Sequence, residues 1–307
     1  MTALAPVVPA IETHRLTKHY GASRGIENVD LVVPRGEIFG FLGPNGAGKT
    51  TTIRTLLDFQ RPTSGSASVL GLDSRRDSLE IHRNIGYVPG DLALYERLTG
   101  REHTDWLARL RDLDRLGERD ALAERFDLDL DRPIRDLSKG NRQKVAIVQA
   151  FMHRPELVIL DEPTAGLDPL MQEEFRFLLR DLARRGGTAF LSSHSLDEVE
   201  RAADRVAAIR DGQIISVDSV ESLHAKAKRY VTIRFLETVN AADFEGLAGV
   251  GEVVAKDGEL RLTVSGSLDA VVKAAARHTV ADFVSRPADL EEIFLEVYRA
   301  TQGSSDG

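Results

Sequence analysis

The sequence contains no cysteine, which excludes disulfides and thiolate metal sites and suits a reducing compartment. Its eight histidines are scattered, so no cluster with metal-ligand spacing forms along the chain. No apolar run approaches the ~20 residues that a membrane-crossing helix requires, and the chain is not expected to span a membrane. A basic tract is also missing: the net charge is −8, with Lys and Arg interspersed among Asp and Glu, which gives no footprint for nucleic acid. Met1 to Ala10 is apolar but lacks a basic start and is interrupted by Pro6 and Pro9, so it reads as a loose arm rather than a signal peptide. No G-x-S-x-G elbow occurs, which argues against a Ser–His hydrolase. What is present, over 307 residues with an ordinary 42 % hydrophobic content, is enough for one large domain and a smaller one.

The stretch that organises the rest is Gly43-Pro44-Asn45-Gly46-Ala47-Gly48-Lys49-Thr50. It matches the phosphate-binding pattern G-x-x-x-x-G-K-[ST] and follows the short apolar run Ile38 to Leu42, which reads as a buried strand. Downstream, Ile53, Leu56 and Leu57 recur at helical spacing, so the glycines sit where a strand turns into a helix N-terminus. In that context backbone N–H groups curl around an anion, Lys49 adds charge toward the terminal phosphates, and Thr50 offers a hydroxyl to Mg²⁺.

Taken in order, Ile11 to Tyr20 and Ile26 to Val33 read as strands joined by the small-residue loop Gly21 to Gly25. Tyr20, at a strand end, reads first as a packing residue, with stacking on a base as the second reading. Ile85 to Asp91 is a strand that breaks at Pro89-Gly90. Residues 92–153 read as a mostly helical insertion, with Trp106, Leu107, Leu110 and Leu113 at helical spacing. Within it, Asp127, Asp129 and Asp131 imitate a calcium loop, but Arg132 and Ser138 stand where the loop needs Gly and Glu, so these carboxylates read as a solvated face. Ser138 begins a helical run from Arg142 to His153, as a cap or, with Gly140, as a phosphate-binding helix end. Leu157 to Leu160 is a continuous apolar strand delivering Asp161 and Glu162 to the carboxyl edge of a sheet. Neighbouring residues of a strand point to opposite sides, so the two acids divide the work: Asp161 suits Mg²⁺, through water, and Glu162 suits the attacking water. Thr188 to Leu191 runs into Ser192-Ser193-His194, where the histidine is either a phosphate sensor or a buried hydrogen-bonded side chain.

The expected fold is α/β, a P-loop NTPase domain over residues 1–218 closed by a hairpin at Asp211-Gly212. A linker helix over 219–227 leads to a C-terminal α+β unit over 228–300 in the β-α-β-β-α-β order of a ferredoxin-like domain, whose last helix is Asp289 to Tyr298. Residues 301–307 read as a disordered tail.

This ordered set resembles the ATP-binding cassette ATPases, specifically the nucleotide-binding subunits of ABC-2-type exporters related to drug-resistance efflux ATPases, over Ile11 to Val217. The resemblance identifies Gly43 to Thr50 as Walker A, with Thr51 beside it on the nucleotide, and Tyr20 as the aromatic stacked on adenine. Leu137 to Asn141 stands for the signature, Leu160-Asp161-Glu162 for Walker B with its catalytic glutamate, Gly166-Leu167-Asp168 for the D-loop, and His194 for the switch histidine. It implies ATP and Mg²⁺ as cofactors and a head-to-tail dimer in which Ser138 and Gly140 of one copy cap the ATP on the other. It also implies a separate ABC-2-type permease and a cytoplasmic, membrane-peripheral location. Two departures stand out. Gly90 occupies the place of the glutamine that touches Mg²⁺ in the family, with Asp91 offset by one residue and not taken as a ligand; Lys139 and Asn141 replace Gly and Gln of the signature. Cassette ATPases acting on ribosomes or DNA carry paired cassettes, long coiled coils or zinc motifs, none of which is found here. A structural module without turnover is disfavoured by Glu162 and His194. For the C-terminal unit a regulatory or dimer-supporting role is expected.

Overall fold

The computed structural model describes residues 8–21, 23–113, 117–226, 228–256 and 258–287. The chain divides into two compact units, 1–218 and 219–307.

The first unit is built on a six-stranded sheet in the order Gln213–Ser219, Arg205–Arg210, Ile38–Leu42, Thr188–Ser193, Leu157–Asp161 and Ile85–Val88. Ile38–Leu42, Leu157–Asp161 and Thr188–Ser193 are buried at every residue, which is why their centres are apolar runs instead of alternating ones, with buried polar residues (Thr188, Ser192, Ser193 and Asp161) only at their ends. The parallel register aligns Leu42 with Ser193 and Asp161 with Ser192. The phosphate-binding loop, the two acids and His194 therefore emerge side by side at one carboxyl edge. The Asp211-Gly212 hairpin turn is present, with both residues at positive φ (48° and 77°), as a type I′ turn demands.

A second, antiparallel sheet runs Ser23–Val33, Ile11–Tyr20, Ser64–Val69, Leu72–Asp73. Ile11, Leu16, Ile26, Val29 and Val69 from it share one core with Phe39, Phe41, Ile53 and Leu56. The strand from Ser23 begins earlier than the sequence suggested, and the intervening loop is correspondingly shorter. Ala10, at the end of the expected loose arm, is buried and its N–H donates to the Val33 carbonyl at 2.8 Å.

The insertion is helical, with Gly100–Leu110, Arg119–Arg125 and Lys139–Phe151. Asp131 is not merely solvated: it accepts from Arg101, which also pairs with Asp120 and so crosslinks the insertion. The helix Gly100–Leu110 opens on a complete capping box, in which Thr99 Oγ1 accepts from the Glu102 N–H (3.1 Å) and Glu102 Oε2 accepts from the Thr99 N–H (2.8 Å). Thr99→Ala is expected to lower stability by about 1 kcal/mol, read as a shifted urea midpoint at unchanged slope. Among the described residues no helix is long and apolar enough to cross a membrane.

In the second unit the helix Val220–Lys226 precedes an antiparallel sheet ordered Val250–Lys256, Glu259–Val264, Arg229–Phe235, Val280–Pro287, the strand order of a split βαβ unit. The first helix of the expected β-α-β-β-α-β order is only a 3₁₀ turn, Ala241–Asp243. Gly246 and Gly249 at φ 78° and 81° stop it, and buried Phe244, with Ala241 and Leu247 packed beside it, fastens the segment to the core of Val231, Ile233, Leu262 and Val271. Asp289 to Tyr298 and the tail 301–307 lie outside the described residues.

Candidate functional site

Between Leu42 and Lys49 the backbone turns through Gly43–Gly48 into the helix Lys49–Leu56. Gly48 caps that helix at φ 110°, a conformation that L side chains rarely adopt, and a Cβ there would stand 2.7 Å from Ile26 Cγ2. Lys49 is 6 % exposed, and its ammonium donates to the carbonyls of Gly43 (2.6 Å) and Pro44 (3.4 Å) and lies 3.4 Å from Glu162 Oε1. Pro44, Asn45 and Gly46 form an exposed lip, while Ala47 turns into the core. Together with Tyr20, Thr50, Thr51 and Glu162, this lip and Lys49 bound a cavity of about 310 Å³. Tyr20 is half-exposed there. Its hydroxyl donates to Gln60 Oε1 and lies 3.5 Å from Thr51 Oγ1, which fixes the ring over Gly25.

Asp161 is buried and holds two hydroxyls: Thr50 donates to Oδ2 at 2.8 Å and Ser192 to Oδ1 at 2.5 Å. A hydroxyl beside a carboxylate is a hard-oxygen donor pair of the kind Mg²⁺ takes, with the remaining positions left to phosphate and water. Gly90 lies against this pair, since a Cβ on it would stand 3.2 Å from Asp161 Oδ2. Its lack of a side chain leaves room, but supplies no ligand. Nearby Tyr87 stays a neutral phenol, because burial first, and then the Asp161 charge, push it up to about 12.

Glu162 departs from the simple expectation of alternating strand residues. The strand ends at Asp161, and Glu162 adopts a left-handed backbone at φ 52°, fixed by its N–H donating to the Ser192 carbonyl at 3.1 Å. Such conformations in non-glycine residues concentrate at functional sites. One carboxylate oxygen is hydrogen-bonded to His194 Nδ1 at 2.7 Å. The other, Oε1, is buried without a hydrogen bond among the described residues and lies 3.4 Å from the Lys49 ammonium. An orphaned acceptor beside a phosphate cradle fits a bound water.

Ser138, Gly140 and Asp168 do not line the Tyr20–Lys49 cavity. Ser138 is the N-cap of Lys139–Phe151, its Oγ accepting from the Asn141 N–H at 3.2 Å, and it is exposed to solvent. A Cβ on Gly140 would stand 2.7 Å from the Gly166 carbonyl, so the signature helix start rests on the loop before Asp168. Asp168 itself caps Pro169–Arg184, accepting from the N–H groups of Leu170 and Met171 at 3.0 Å. Three polar residues of this region had not been singled out: Ser192 on Asp161, Gln143, which donates to the Pro163 carbonyl at 2.7 Å, and Glu198. The Ser-Ser pair before His194 was the available signal for the first; nothing in the sequence pointed to the second.

A family model described as ABC transporter matches residues 26–165. The bacitracin transport ATP-binding protein BcrA of Enterococcus faecalis is 33 % identical over 287 residues, covering 92 % of each chain. The daunorubicin/doxorubicin resistance ATP-binding protein DrrA of Streptomyces peucetius is 32 % identical over 302 residues, covering 96 % of this chain and 89 % of that one. Among solved structures, an ATP-binding subunit of an ABC transporter superposes with a TM-score of 0.66 at 32 % identity, over 70 % of this chain and 92 % of that one. The phosphate cradle, the Thr50–Asp161 pair and these relatives agree: the chain belongs to the ABC transporter family, as one of its ATP-binding proteins.

Proposed function

We propose that the chain hydrolyses ATP with Mg²⁺ in a head-to-tail pair with a second copy, and that this drives a separate membrane permease exporting a drug-like molecule. The observation that carries the reading is the convergence of Lys49, the Thr50–Asp161 pair and the Glu162–His194 pair on one sheet edge. Lys49 binds the terminal phosphates, exchanging the carbonyls of Gly43 and Pro44 for phosphate oxygens. Tyr20 stacks on the base. Thr50 and Asp161 hold Mg²⁺, Asp161 through water. The ion supplies charge neutralisation at the transferring phosphoryl group. Glu162 Oε1 orients a water and takes its proton, while His194, held on Oε2, keeps the carboxylate aimed and contacts the γ-phosphate.

A lone cradle leaves one side of that phosphate in water. Ser138 and Gly140 stand outside the cavity of their own chain at an exposed helix start, which is where a second copy's phosphate is accepted. The names of the relatives, one a bacitracin transporter subunit and one an anthracycline resistance protein, support export as the work done. That work requires a permease, docked through the insertion at 92–153 and the Gly90 loop, and a position on the cytoplasmic face of the membrane. The C-terminal unit is assigned a regulatory or dimer-supporting role.

Affinity purification of the tagged chain from solubilised membranes is expected to recover an integral membrane protein with several spans. Recovery of the chain alone, or with ribosomes or DNA, would contradict the transport reading.

A further inference from the structure

Glu198 sits at the third position of the helix Leu196–Ala202, whose N-cap is Ser195. The spacing Ser195 to Glu198 is that of a capping box, in which the glutamate would reach back to the N-cap N–H. It does not do so. The Ser195 N–H instead donates to Ser193 Oγ at 2.9 Å, and the Glu198 carboxylate is spent elsewhere. Its Oε2 accepts from Ser193 Oγ at 2.5 Å and its Oε1 accepts from Thr164 Oγ1 at 2.7 Å.

These two hydroxyls belong to different segments: Ser193 ends the strand Thr188–Ser193, and Thr164 lies in the loop after Leu157–Asp161. Ser193 immediately precedes His194, and Thr164 lies two residues beyond Glu162. The strands beneath are joined by a parallel ladder whose last aligned pair is Asp161 with Ser192. Past that point the backbone link is the Glu162 N–H to the Ser192 carbonyl, and the side-chain bridge through Glu198 continues it. Glu162, His194 and Glu198 line one cavity of about 240 Å³. Glu198 is half-buried, and withdrawing a carboxylate from water is costly unless its oxygens are hydrogen-bonded; here each oxygen has one hydroxyl. Burial pushes the Glu198 carboxyl up, while the Ser193 and Thr164 hydroxyls hold it down.

We propose that Glu198 is a positioning residue for ATP hydrolysis: by tying Ser193 to Thr164 it fixes the His194 side chain against Glu162. The inference rests on reading Glu162 and His194 as the hydrolytic pair. Glu198 touches neither the cradle nor the Thr50–Asp161 pair, so it governs the reaction step rather than binding of the nucleotide.

The test is steady-state ATPase kinetics of the full chain. Glu198→Ala is expected to lower kcat by about ten- to a hundredfold, as a misaimed catalytic group does, with KM for ATP held within about twofold. Ser193→Ala and Thr164→Val, which each remove one arm, are expected to give smaller losses of the same kind. Glu198→Gln, which keeps one acceptor, should recover part of the rate. In a His194→Ala background Glu198→Ala should cost nothing further, because its effect passes through that side chain. Unchanged kcat in Glu198→Ala would overturn the proposal. So would a loss that persists in full without His194, or a rise in KM that accompanies a falling melting temperature. Glu162→Gln measured alongside separates the two readings: wild-type turnover there sinks the site itself, whereas lost turnover there with none lost in Glu198→Ala sinks only this inference.

Discussion

Glu162→Gln is expected to bind ATP as tightly as the unaltered chain and to hydrolyse it about 10²–10⁴-fold more slowly, the range seen when a positioned general base is removed. The amide keeps the size of the side chain and can still accept at one oxygen, so the contacts to Lys49 Nζ and His194 Nδ1 are weakened without emptying the space. What it loses is the capacity of Oε1, the buried acceptor with no hydrogen bond of its own, to take a proton from water. Binding depends on the cradle and Lys49, which the change leaves in place. With binding intact and turnover blocked, the ATP-bound pair should accumulate and appear as a dimer by size-exclusion chromatography with light scattering. Near-normal phosphate release would remove Glu162 from the mechanism.

Lys49→Ala is the second change with a large expected effect, and its signature is the opposite. The ammonium is 6 % exposed and held by two carbonyls and the Glu162 carboxylate, so it is preorganised to meet phosphate oxygens. A charge-assisted hydrogen bond of this kind contributes roughly 1.5–3 kcal/mol, which corresponds to ATP binding weaker by about 10- to 150-fold. Turnover should fall further, because the same charge faces the transferring phosphoryl group. Isothermal titration with ATP and Mg²⁺ measures the first effect, and phosphate release at saturating ATP the second. Unchanged affinity would mean that Lys49 is only a structural tie across the loop.

Much of this site was legible in the sequence because its parts lie on elements with strong local signals. The continuous apolar runs ending at Leu42, Leu160 and Leu191 announce buried parallel strands, and such strands share one carboxyl edge, so Thr50, Asp161 and His194 had to meet. The left-handed backbone of Glu162 was not legible, since nothing in Asp161-Glu162-Pro163 distinguishes a strand that continues from one that stops. Glu198 was hidden for another reason: its local pattern spells a capping box, and only the register between two strands brings Ser193 and Thr164 to its carboxylate. In the C-terminal unit the β-α-β-β-α-β order called for a first helix, but Gly246 and Gly249 in left-handed conformations leave only the 3₁₀ turn Ala241–Asp243. Asp168 shows the reverse case, a residue singled out from the family pattern that is also a plain N-cap.

The central claim is that the hydrolytic site is shared between two copies, and mixing two inactive variants tests it most directly. Lys49→Ala disables the cradle. Ser138→Asp keeps a good N-cap for Lys139–Phe151 but sets a negative charge against the phosphate it should receive. Each variant alone is expected to be nearly inactive. In an equimolar mixture half of the pairs are mixed, and in each of these one of two sites joins an intact Lys49 to an intact Ser138. Turnover should therefore return to roughly a quarter of the unaltered rate. A mixture no more active than the mean of its two components would contradict the shared site.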